Sequence, residues 1–261
     1  MYTQHIAVRY GLNPKKSLGQ NFLINENVTT RIVDEALLDA LPVLEIGAGL
    51  GALTAILLAR GVPLVAVEKD ARLCEILAAE LPQARVLDAD FLDLDPRTLM
   101  GAADFCAVGN LPYYVTTPIS EKLLAALPAR AVLMVQKEAA ARFFAEPGDR
   151  VYGPLTILAK RYYQPERLFT VPPSSFWPQP HVDSVVLRLT RLPEDTACAP
   201  AALLRFCKTA FAMRRKTLVN NFQRNPRLLS ALEARGLPAD IRAEALSPPQ
   251  LAELCQIMED I

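Results

Sequence analysis

Three carboxylates and one amide lie in or just after short apolar runs. Glu45 sits within Val43–Ile46, Glu68 follows Leu64–Val67, Asp90 follows Arg85–Leu87, and Asn110 follows Phe105–Val108. Between the first two carboxylates stands Gly47-Ala48-Gly49-Leu50-Gly51. Glycines directly after a strand and at the start of a helix permit a tight turn and let a ligand approach the backbone. Glu68, 21 residues after Gly47, is placed to accept both hydroxyls of an adenosine ribose. Asp90, one step past the third run, is a candidate acceptor for an adenine amino group. The alternative is that Asp88, Asp90, Asp93 and Asp95 form one solvated acidic loop. Gly47-x-Gly49-x-x-Ala52 also satisfies the relaxed dinucleotide fingerprint. The loop therefore leaves two adenosine-bearing ligands open, S-adenosylmethionine and a nicotinamide dinucleotide, and Glu45 with Gly51 favours the first.

The segment Asn110-Leu111-Pro112-Tyr113-Tyr114 suits one chemistry in particular. The exocyclic nitrogen of adenine is a poor nucleophile because its lone pair is delocalised into the ring. Two acceptors, the Asn110 side-chain oxygen and a backbone carbonyl beside Pro112, can hold its two N–H bonds and free the lone pair toward a methyl group. Pro112 fixes φ and pushes Leu111 to an extended shape, which aims the carbonyls. Tyr113 offers a ring on which a base can stack, worth ~1–3 kcal/mol. Asn110 is neutral, so its role is orientation, and the rate comes from alignment. Gly109 is read as room for the turn, and Tyr114 as a core residue. A dehydrogenase has no use for this segment.

These groups need a scaffold that brings strand ends together. Strand-like runs at 43–46, 64–67, 85–87, 105–108 and 131–135 alternate with helical stretches at 50–60, 72–81 and 119–127, which implies a parallel sheet covered on both faces. Two further strands are expected near 162–170 and 182–190. Residues 191–200, polar and proline-bounded, read as a linker, with short helices beyond it.

The bulk properties narrow the class. With 261 residues, 51% of them hydrophobic, the chain can build a real core. No apolar run approaches the ~18 residues of a membrane span and no signal-peptide pattern opens it. Five scattered cysteines and two histidines give neither a disulfide frame nor a metal site, and a cytoplasmic setting is the expectation. Net charge is zero but uneven. Residues 39–128 carry 12 acidic and 6 basic side chains, whereas 201–230 carry seven basic ones and no acid. That asymmetry suggests a polyanion partner on one side, against the plainer reading of a solvated helix face.

Taken together, Ser17–Leu23 (SLGQNFL), Leu44–Thr54, Val67–Asp70 (VEKD), Asn110–Tyr114, Val171–Ser184 and Ala210–Phe222 resemble the ribosomal RNA adenine N6,N6-dimethyltransferases of the KsgA type. The resemblance runs from about residue 10 to the C-terminus, with the motifs in family order. It implies a Rossmann-like class I methyltransferase sheet of about seven strands, mostly parallel, spanning 1–192, followed by a small all-helical rRNA-binding domain over 193–261. It implies S-adenosylmethionine as donor, held by Gln20, Asn21, Leu23, Gly47, Gly49, Glu68, Asp90 and Asn110. Asn110, Pro112 and Tyr113 would hold the target base, with Phe176 closing its other face and Trp177 packing partly buried. The substrate would be two adjacent adenosines in a hairpin loop near the 3′ end of 16S rRNA, within the 30S subunit or its precursor. A loop base costs less to extract than one in a duplex. Lys15, Lys16, Arg205, Lys208, Arg214, Arg215 and Lys216 would contact phosphates, which position RNA without reading its sequence. A monomer is expected. Two other readings remain: a 23S rRNA adenine N6-methyltransferase of the antibiotic-resistance type, and a non-catalytic ribosome-assembly factor.

Overall fold

Short, mostly apolar runs bury both faces most readily as inner strands of a parallel sheet. The computed structural model, which describes residues 2–15, 18–101, 103–193 and 198–259, uses them in that way. Its strands are β1 (Phe22–Leu23), β2 (Val43–Ile46), β3 (Leu64–Glu68), β4 (Arg85–Asp88), β5 (Cys106–Asn110), β6 (Arg130–Gln136), β7 (Tyr163–Val171), β8 (Phe176–Trp177) and β9 (Ser184–Arg191). Seven form one sheet in the order β4-β3-β2-β5-β6-β9-β7. The first five run parallel, and β9 turns antiparallel against β6, with Met134 opposite Val186. Chain order reverses between β2 and β5, so a crevice opens beyond their carboxyl ends, where open α/β sheets bind ligands.

Three features escaped the sequence reading. Helix Glu26–Ala36 is capped by Asn25, whose side chain accepts from Val28 N–H. It lays Val28, Ile32, Val33 and Ala36 against Val43, Leu53, Leu57, Val108 and Val132. Ile32 has no exposed surface, and truncating it to Ala would cost about 2–5 kcal/mol. Helix Tyr2–Arg9 puts Ile6 and Ala7 into a cluster with Phe22, Leu50, Leu73 and Ile76. The two-residue strands β1 and β8 pair antiparallel, Phe22 opposite Trp177 and Leu23 opposite Phe176.

The described residues separate into two compact units. One comprises 1–119, 128–140 and 166–190, and the other 120–127, 141–165 and 191–261. This division differs from a linear boundary at 192/193. Helix Pro154–Tyr162 buries Leu155, Ile157, Leu158 and Ala159, and packs with helices Pro200–Ala210 and Pro248–Glu259. Two hydroxyls fix it there: Tyr152 donates to the Leu246 carbonyl and Tyr162 to that of Cys198, each at 2.7 Å. Such partners, tens of residues apart, leave no local trace in sequence. Part of the expected linker, 194–197, lies outside the described residues.

Candidate active site

In the sheet-bearing unit a pocket of about 870 Å³, part of it open to solvent, lies beyond the ends of β2, β3, β4 and β5. Its place, at the switch point of an open α/β sheet, is where such folds hold small molecules and cofactors. Leu18–Phe22 line one side, Gly47 and Gly49 the floor, Glu68, Lys69 and Asp90 another side, and Asn110–Val115 the last.

The N–H groups of the glycine loop bond to partners inside the protein. Gly47 and Ala48 N–H donate to the Val67 carbonyl (2.8 and 3.3 Å), Gly51 N–H to the Ala48 carbonyl, and Gly49 N–H to Glu68 Oε2 at 2.8 Å. A pyrophosphate needs such N–H groups pointed at it. Here Gly47 and Ala48 N–H are engaged by the β3 carbonyl, Gly51 N–H within the loop and Gly49 N–H by a carboxylate, so none of these four points at a phosphate site. Gly51 has a different task. At φ +83°, a Cβ there would come within 2.8 Å of Leu77 Cδ2, so this glycine lets helix Ala71–Glu80 pack close.

Glu68 is nearly buried and accepts three backbone N–H bonds, Gly49 on Oε2 and Lys69 and Asp70 on Oε1, at 2.8–2.9 Å. Burial raises its pKa and the three donors oppose the rise. Asp90 Oδ1 accepts from Leu92 N–H, capping the turn Phe91–Asp93, and Oδ2 pairs with Lys69 Nζ at 2.6 Å. The acid is thus a fixed member of the pocket wall. Beneath the loop, Glu45 is fully buried beside a smaller cavity. Its Oε2 accepts from Thr54 Oγ1 at 2.7 Å, and Oε1 has no partner among the described residues. Burial pushes this carboxyl up to about 8, so it is largely protonated at neutral pH.

Asn110 closes β5. Its Nδ2 donates to the Asn21 carbonyl at 2.9 Å, which fixes the amide plane and leaves Oδ1 as the free acceptor. The Pro112 carbonyl already accepts from Thr116 Oγ1 and Val115 N–H. Tyr113 lines the pocket, its hydroxyl 3.2 Å from the buried Ser184 Oγ. Gly109 is not a turn residue. It lies inside β5, where a Cβ would sit 2.5 Å from the Ile46 carbonyl oxygen of the neighbouring strand. Tyr114 is no core residue either: it is 55% exposed at the pocket rim, its ring against Gly19.

Two expected site residues sit elsewhere. Phe176 is 1% exposed and packs in the main core, lining neither cavity. Leu23, opposite it in the β1–β8 ribbon, is buried in the same core. Alternation along a strand sends these side chains inward, so Phe176 does not present its ring to the pocket in this arrangement, and Leu23 borders only the smaller cavity. Trp177 is half-buried and stacks on Phe22 at 6.1 Å. Gln20 and Asn21 do reach the main pocket.

The expected phosphate-binding residues divide. Arg205 pairs with Glu259 and Lys208 with Glu121, while Arg214 binds Glu244 and the carbonyls of Asp149 and Arg150. Lys15 Nζ is bound to Asp70 at 3.0 Å. Arg215 and Lys216 are exposed, with no partner among the described residues. Lys16 lies outside the described residues. The described residues contain no cluster of metal-ligating side chains and no helix long and apolar enough to cross a membrane.

Residues 11–260 match the family model for ribosomal RNA adenine dimethylase. The chain belongs to that family. A curated member, ribosomal RNA small subunit methyltransferase A of Myxococcus xanthus, is 41% identical over 95% of this chain and 92% of its own length. Among solved structures, a dimethyladenosine transferase from Plasmodium falciparum superposes with a TM-score of 0.69 at 27% identity, over 89% of this chain and 95% of that one. The 23S rRNA methyltransferase ErmE gives 0.61 at 28% identity, over 92% and 100%. The family's adenine chemistry fits an amide and an aromatic ring placed on the wall of this pocket.

Proposed function

We propose that this member of the family transfers methyl groups from S-adenosylmethionine to N6 of two adjacent adenosines in a hairpin loop near the 3′ end of 16S rRNA, two on each. It acts as a cytoplasmic monomer on the 30S subunit or its precursor. The observation that carries this reading is the Asn110 amide, held by the Asn21 carbonyl at the edge of the donor pocket. When bound, S-adenosylmethionine supplies an activated methyl group. Glu68 would accept from its ribose hydroxyls and Asp90 from its adenine amine, with Gly47, Gly49, Gln20 and Asn21 around its amino-acid end.

The remaining work falls to the chain's own groups. Asn110 Oδ1 and the Leu111 carbonyl accept the two N–H bonds of the target amine, since the Pro112 carbonyl is already bonded. Tyr113 stacks the base, its ring fixed through Ser184. No side chain need remove a proton, because an N-methylated adeninium is acidic enough to lose one to water. Of the predicted phosphate contacts among the described residues, Arg215 and Lys216 are the two left exposed and unpaired to meet phosphate.

Offering tritiated donor with 30S particles lacking the modification tests the reading. Label should enter 16S rRNA, and label confined to 23S rRNA would overturn it in favour of the ErmE-like activity. The 41% identity to a protein named for the small subunit, against 28% to ErmE, favours the first outcome. Asn110→Ala should abolish transfer and leave donor affinity within about threefold, the behaviour of a group that acts mainly in the transition state.

A further inference from the structure

Asp70 does not line the donor pocket, yet it touches both sides of it. Its backbone N–H donates to Glu68 Oε1 at 2.8 Å. Its side chain, 1% exposed, accepts from Gln20 Nε2 (2.8 Å), Lys15 Nζ (3.0 Å) and Arg72 Nε and Nη2 (3.2 and 2.8 Å), and it caps helix Ala71–Glu80 through Arg72 N–H. Gln20 is held from its other end too, since its Oε1 accepts from Lys15 N–H at 2.7 Å. The next residue along is Asn21, whose carbonyl holds the Asn110 amide. One short path therefore runs from the carboxylate of the donor site, through Asp70 and the Gln20–Asn21 dipeptide, to the group that orients the target amine.

We propose that Asp70 is a positioning residue for methyl transfer, acting through Gln20 and Asn21 to hold the Asn110 amide in register with the donor. The inference rests on the role given to Asn110 above. A buried carboxylate with donors converging from three residues is a rigid anchor, as hydrogen bonds to charged groups are the strong ones. A peptide anchored at residue 20 has little freedom at the adjoining carbonyl. Loss of the anchor would let Asn21 drift and the Asn110 amide rotate, and small misalignments of reacting groups cost large factors in rate.

The perturbation can be made without losing the helix cap, because Asn caps as well as Asp. Asp70→Asn should lower single-turnover transfer at saturating donor by about tenfold or more, with a thermal midpoint close to that of the wild type. Gln20→Glu alone should do the same by setting two carboxylates face to face. The double variant Asp70→Asn/Gln20→Glu restores a donor–acceptor pair with its polarity reversed and keeps the local charge, so it should recover most of the rate. A second readout is independent of activity: hydrogen exchange of the Asn110 side-chain amide, followed by NMR. It should quicken in each single variant and slow again in the double.

A double variant no better than either single one would overturn the proposal. So would a rate loss that vanishes at saturating donor, or one that tracks the thermal midpoint. If the wild type transferred nothing to 30S particles while the exchange pattern held, the functional reading would fall and the Asp70 link would stand.

Discussion

The buried carboxyl of Glu45 makes stability fall with rising pH in a way a single substitution removes. Its ordinary pKa is 4.5 and burial pushes it up to about 8, with repulsion from Glu68 adding and the Thr54 hydroxyl opposing. Below 4.5 the group is protonated in folded and unfolded chains alike. Between 4.5 and about 8 the unfolded chain releases the proton and the folded chain keeps it, so stability declines as pH rises, and the decline ends above 8. That interval, at 1.36 kcal/mol per pH unit, sets a ceiling of about 5 kcal/mol. Water entry and relaxation around the charge lower the realised figure to about half of it, 2–3 kcal/mol. Glu45→Gln is neutral at every pH, keeps the shape, and can still accept from Thr54. Urea unfolding of both proteins at pH 5, 7 and 9 isolates the effect, because every other titrating group is common to the two. The wild type should lose at least about 2 kcal/mol relative to the variant across that range. Parallel curves would mean that Glu45 is ionised and solvated in the folded protein, and the reasoning from burial would fail.

Three further outcomes are expected. Gly109→Ala forces a Cβ onto the Ile46 carbonyl of an equally buried strand and should cost about 3 kcal/mol, lowering the midpoint by roughly 6–12 °C in calorimetry; a midpoint unchanged within about 1 °C would refute the close approach. Glu68→Gln turns an amide N–H₂ toward a backbone N–H it formerly accepted from, so titration calorimetry should show donor affinity down at least tenfold, from about 2–3 kcal/mol of lost charge-assisted bonding; unchanged affinity would remove Glu68 from the donor site. Arg215→Glu with Lys216→Glu should weaken particle binding and flatten its salt dependence by about two counterions without moving the midpoint, whereas Arg214→Ala should lower the midpoint because Arg214 ties the segment around 149–150 to Glu244. An unchanged salt slope would return Arg215 and Lys216 to the solvated-surface reading.

What the sequence disclosed was local. The glycine loop, the spaced acids and Asn110 could be read because each belongs to one strand end, and the period of the pattern places strand ends in an α/β sheet. The path through Asp70 was hidden: its partners come from residues 15, 20 and 72, and nothing in VEKD tells its last acid from a simple helix cap. Phe176 was misplaced for a similar reason. An aromatic among prolines reads as a loop residue, and only its pairing with Leu23 turns it into the core. Helix Glu26–Ala36 could have been found from Asn25 as cap and the apolar stripe at 28, 32, 33 and 36. Tyr114 followed a buried strand so closely that burial was the natural expectation, and the 3₁₀ turn at Tyr113–Val115 instead swings it out.

The β1–β8 ribbon sets a schedule for the making of the site. Phe22 and Leu23 find their partners only at Trp177 and Phe176, and Asn25 Nδ2 donates to Ser175 Oγ. On a ribosome adding about 5–20 residues per second, the segment that carries Gln20 and Asn21 waits on the order of 8–30 s for its partner strand to be made. The glycine loop, β3 and β5 are all in hand well before that. A nascent chain halted before residue 175 would hold the carboxylate side of the pocket without the β-pairing that seats its N-terminal wall, and the hold on Asn110 would firm up only after the strand that carries Asn110 has long been made.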